Sequence, residues 1–243
     1  MSTTFETGHT KNVANFKELV NLINSYGDSY NPVRASLKIP HLNTIATNAQ
    51  TSLTTVSVKN TQYNNAINNR FIAFENLKKL STRLVNALAV SDATKQMIDD
   101  AKGFNRKLQG RRASAVVKQV SENEPAPVTI SASQQSYDLQ IQHFRDLITV
   151  LESEESYNPN ESELKIDALT TKQNELLERN NDVSIAHALI SNARIARNKT
   201  LYEDNIGLVD TALEIKKYIK SVYGANSPQF KQVNAIKFRT VTV

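Results

Sequence analysis

FKELVNLINSYGDSYNPVRASLKI, Phe16 to Ile39, and FRDLITVLESEESYNPNESELKI, Phe144 to Ile166, are one pattern written twice. Each copy has Phe, a basic residue, an acidic residue, Leu and Val or Ile. Tyr-Asn-Pro follows, then Leu-Lys-Ile, at nearly the same spacing. The pattern reads as an internal duplication with a period of about 127 residues, far longer than any solenoid repeat. It divides the chain into a flexible N-terminus (1–11), a first repeat (12–110), a linker (111–136) and a second repeat (137–243).

Around the doubled stretch the apolar spacing is helical. Val13, Phe16, Leu19, Val20, Ile23 and Tyr26 share one face, which predicts a helix over 12–26 with Asn12 as N-cap and Gly27 just past its end. Asn-Pro then reads as a helix start, because Asn caps and Pro at the first helical position loses no hydrogen bond. Asn31 and Pro32, and Asn158 and Pro159, are therefore structural joints, with Glu161 at a capping-box position and Tyr30 and Tyr157 wedging each corner. Pro40 adds a break before the main helix.

From Leu42 to Leu88 apolar residues recur in steps of three, four or seven, with no Gly or Pro between them. This predicts a helix of about 50 residues, some 75 Å long. The stretch 52–65, rich in Thr, Val and Asn, is its weak point, and a break near 57–62 is the alternative. A shorter helix follows over 92–109, capped at Ser91-Asp92 and ended by Gly110. The second half repeats the plan: a helix over 134–155, a long helix softened at Gly207, and a last helix begun by Ser227-Pro228. Residues 111–136 lose the period and read as a linker. The terminal KFRTVTV, 237–243, reads as a short strand or extended tail. The fold class is all-α: an elongated helical bundle of two tandem homologous halves, the long helices packing on each other.

Composition narrows function by exclusion. There is no Cys, hence no disulfide, thiolate nucleophile or Cys-based zinc site. No basic-then-apolar leader and no window of 18 apolar residues is visible, so the expected location is the cytoplasm, with non-classical export as an alternative. His9, His41, His143 and His187 have no metal-ligand spacing; His143 reads as polar-face, His187 as a core or partly exposed residue. The carboxylates read as solvated faces, and no phosphate loop or nucleophile elbow is present. No enzyme, cofactor or metal is expected.

The net charge of +5 is uneven: residues 1–113 carry +8 and 137–243 carry −2. Halves of opposite sign could pack together or join molecules, although drift of a solvated surface explains the same numbers. Lys102, Arg106, Lys107, Arg111, Arg112 and Lys118 form a basic cluster that would suit a nucleic acid. Arg70 aligns with Arg197, marking a shared buried contact or, more simply, a solvated face. The leading expectation is a non-enzymatic structural or scaffolding protein that presents helix faces to another copy or another protein. A nucleic-acid-binding protein is the alternative, and a soluble pore-forming protein a further one.

Overall fold

Periodicity alone predicts which faces are buried, not what covers them, and here the coverings come from both ends of the chain. The computed structural model describes residues 4–111 and 135–239, with side chains from Gly8 onward. The helices are α1 (Thr4–Asn24), α2 (Ile39–Phe74), α3 (Leu77–Ala89), α4 (Lys95–Gln109), α5 (Tyr137–Glu152), α6 (Ile166–Tyr202), α7 (Leu208–Tyr223) and α8 (Pro228–Ala235). Among the described residues there is no strand, so the all-α expectation holds. Most of the 111–136 linker and residues 240–243 of the tail lie outside the described residues; Lys237 to Arg239 are irregular.

Several boundaries differ from the sequence reading. Helix α1 starts at Thr4, within the expected flexible terminus. Asn12 is therefore interior to α1 rather than its cap. Each expected 50-residue helix is two helices, α2 with α3 and α6 with α7. The 52–65 stretch does not break. Thr54, Thr55 and Thr61 return their hydroxyl protons to the carbonyls of Gln50, Thr51 and Ser57, which satisfies them within the helix. The break falls instead at Glu75-Asn76, where Asn76 takes φ −95°, ψ 0° and lets Leu77 enter the core. In the second half it falls at 203–207, ending on Gly207 as the sequence suggested.

Asn31-Pro32 and Asn158-Pro159 do not start the long helices. Each is followed by a 3-10 turn, Ala35–Leu37 or Ser162–Leu164, and only then by α2 or α6. The carbonyl of Lys38 takes the N–H of Leu42 at 3.1 Å, and that of Lys165 takes Leu169 at 3.1 Å. The proline that sits at a helix start is Pro40, in the first turn of α2, where no N–H is needed. Glu161 precedes a 3-10 turn and makes no capping box. Ser91-Asp92 is a turn, and the cap of α4 is Thr94, whose hydroxyl accepts from Met97 N. Gly110 (φ 74°), Gly224 (φ 85°) and the Ser227-Pro228 start behave as read.

The chain forms two units. The first is 1–63 with 186–243; the second is 64–185. The divisions fall inside α2 and inside α6, so each unit draws on both halves of the chain. In the first unit Phe16, Leu19 and Ile23 of α1 pack with Leu42 and Ala49 of α2 and with Leu208, Ala212, Ile215 and Ile219 of α7. In the second, Phe144, Leu147 and Leu151 of α5 pack with Leu77, Leu84 and Leu88 of α3, with Ala101 and Leu108 of α4 and with Leu169 of α6. Phe16 and Phe144, the matched aromatics of the doubled stretch, are both fully buried.

Candidate functional site

The doubled stretch builds the same clasp in both units. The Tyr30 hydroxyl donates to the Leu37 carbonyl at 2.7 Å, and the Tyr157 hydroxyl to the Leu164 carbonyl at 2.8 Å. All four residues are buried. Each phenol bonds a carbonyl seven positions on and so closes a loop around the Asn-Pro joint, which is the wedge the sequence suggested. Burial raises both phenol pKa values, that of Tyr157 to about 12, so both remain donors at neutral pH. Asn31 contributes through its backbone, donating N–H to Tyr218 Oη at 3.2 Å. Pro32 is buried and Pro159 half-buried. Ion pairs anchor each joint: Arg34 to Glu214 at 2.6 Å in the first unit, Arg83 to Glu163 at 2.5 Å in the second.

The first unit also holds a polar cluster that sequence reasoning missed. His9 and Asn12 are 2% and 1% exposed. His9 Nδ1 lies 2.6 Å from the Tyr202 hydroxyl, and Asn12 Nδ2 lies 3.3 Å from the same oxygen. Asn12 Nδ2 also donates to the Arg239 carbonyl at 2.8 Å, while its Oδ1 accepts the Arg239 N–H at 2.9 Å. The available signal was an Asn and a His one turn apart beside an apolar stripe. A helix read from residue 12 makes Asn12 a cap; α1 starts at Thr4, so both residues lie inside it.

Arg70 and Arg197 both depart from the solvated-face reading. Arg197 is buried and donates from Nε and Nη2 to Asn198 Oδ1 at 3.1 and 2.9 Å. In the second unit Arg70 places its guanidinium 4.0 Å from the centre of the Tyr137 ring and donates to Asn180 Oδ1 at 2.9 Å. Asn180 donates in turn to Asp138 at 2.7 Å. The group ties α2, α5 and α6 together through a cation–π contact and a relay of amide and carboxylate.

His143 is 5% exposed, not on a polar face, and burial is the main cause holding its pKa below the usual histidine value, with Lys107 adding to it. His187 is exposed and packs against Tyr63 with ring centres 5.6 Å apart. His41 is exposed. Among the described residues no three His, Cys, Asp or Glu side chains converge as a metal site would require.

Of the basic cluster, Lys102, Arg106 and Lys107 are exposed on α4 and Arg111 just past it; Arg112 and Lys118 lie outside the described residues. Lys102 pairs with Asp99 of its own helix at 3.2 Å. Lys107 lies 5.1 Å from the centre of the half-buried Phe104 ring. Arg106 and Lys107 occupy the last turn, where cations favour the helix dipole. Much of the cluster therefore serves the helix itself.

The chain matches no protein-family model, and no curated protein or solved structure resembles it significantly. No helix among the described residues is long and apolar enough to cross a membrane.

Proposed function

We propose that the chain is an internally duplicated, non-enzymatic scaffold of the cytoplasm, acting through exposed helix faces that pair with a second copy. The duplication is supported by the paired tyrosine clasps, the paired 3-10 turns, the break after each long helix and the capped last helices begun by Thr94 and Ser227. The observation that carries self-assembly is on α6. In the first unit Ala188, Leu189, Ile195 and Ala196 are exposed around Asn192, with Ile195 at 64%.

Ala188, Asn192 and Ile195 follow the four-then-three spacing of a coiled-coil seam, and a single polar residue in such a seam sets register and partner number. A second copy of the same helix offers the matching face. Sedimentation or light scattering across a concentration series tests this. The expected result is an oligomer that dissociates when Leu189→Glu and Ile195→Glu are combined. A monomer at every concentration overturns it.

A further inference from the structure

After α8 the chain runs irregularly through Ile236, Lys237, Phe238 and Arg239. Backbone groups along this segment meet side chains of α1 and α7. Lys216 Nζ donates to the Ile236 carbonyl. Asn15 Nδ2 donates to the Lys237 carbonyl at 2.6 Å. Asn12 takes both the N–H and the carbonyl of Arg239. The Asn12 amide thus bonds the segment as a neighbouring strand would, in a unit made of helices. Apolar anchoring alternates: Ile236 is buried, and Phe238 is half-buried with its ring centre 5.3 Å from Lys216 Nζ. Lys237 and Arg239 are exposed.

These hydrogen bonds read main chain and spacing, not side-chain identity. That is the recognition mode of sites that capture extended peptides. Asn12 is nearly inaccessible, and withdrawing the segment would leave its amide without those two partners, so the site favours being filled by some extended backbone. Beside the segment lies an open cleft of about 530 Å³ lined by Lys11, Asn15, Glu18 and Leu22 of α1 and by Gln232 and Lys237. Asn15 borders both the cleft and the seat, which leaves room for the side chains of a bulkier occupant.

We propose that α1 and α7 form a binding site for an extended peptide with apolar residues at alternate positions, and that residues 236–239 fill it as a built-in competitor. The seat uses none of the exposed α6 residues 188–196 and does not depend on self-assembly. The probe is a fluorescent peptide of residues 234–243, titrated by anisotropy against the full chain and against a chain ending at Ala235. The shortened chain binds it, the full chain binds at least about tenfold more weakly, and Asn12→Asp in the shortened chain removes roughly tenfold or more of the affinity. A shortened chain that keeps its helical signal yet ignores the peptide overturns the proposal, as does equal binding by the full chain. If the shortened chain does not fold, the full chain decides. Asn12→Asp there should speed tryptic cleavage after Lys237 and Arg239 while leaving cleavage after Lys59 unchanged, and unaltered cleavage at the tail overturns the proposal.

Discussion

Tyr30 and Tyr157 each close a corner of the chain with one buried hydrogen bond. Replacing either by Phe leaves a buried carbonyl, Leu37 or Leu164, without that donor. Each substitution should cost about 1–2 kcal/mol in chemical denaturation followed by helix signal. The clasps share no residue, so the double variant should cost about the sum of the two. Asn31→Ala should change stability by less than about 0.5 kcal/mol, because its exposed side chain is not a cap. Tyr-Asn-Pro was legible as a corner, but the bond partner was not: a carbonyl seven residues on leaves no trace in a sequence. His143 was not legible: its place beside Phe144 suggests a polar face, and the structure buries it.

His143 contributes a pH dependence of stability in the acid range. Its folded pKa is lowered, chiefly by burial, so the folded chain holds it neutral while the unfolded chain takes up a proton near pH 6.5. Between the folded and unfolded values the unfolded state binds more protons, so stability falls as pH drops below about 6.5. Melting temperatures at pH 5 and 7.5 should show this loss, and His143→Asn should flatten the slope.

At the scale of elements, the two helix breaks are made by different means. Gly207 is needed for space: a Cβ there would sit 2.6 Å from the Glu203 nitrogen and 2.7 Å from its carbonyl oxygen. Gly207→Ala should cost about 1–3 kcal/mol, because the neighbour is backbone and cannot swing away. Gly103, inside α4, has nothing within 4 Å of such a Cβ, so Gly103→Ala should stabilise by roughly 0.5–1 kcal/mol. Thermal melts of the two variants should shift in opposite directions.

The same contrast explains which boundaries the sequence disclosed. Gly110, Gly224 and Ser227-Pro228 write their geometry into residue type. Glu75-Asn76 does not, because that break exists to turn Leu77, Leu84 and Leu88 toward α4 and α5, and neither Gly nor Pro is required for it. The Thr-rich turn of α2 failed in the other direction. Low propensity did not decide the outcome: the Thr hydroxyls are satisfied within the helix and Val56 is buried on its face.

For the whole molecule, the sequence disclosed the class of fold and not its partnership. An apolar stripe states that a face is covered. It cannot state that α1 will be covered by α7, near the other end of the chain, or α5 by α3 and α4. The consequence is that neither half of the chain can complete a core alone. The first unit lacks α7 without the C-terminal half, and the second lacks α5 and the start of α6.

The direct measurement is to place a specific protease sequence between residues 120 and 121, cleave the folded protein and weigh it under native conditions. Two cores shared by both fragments predict that 1–120 and 121–243 remain one particle with undiminished helix content, separating only in denaturant. Release of two independently folded helical fragments under native conditions would contradict the account.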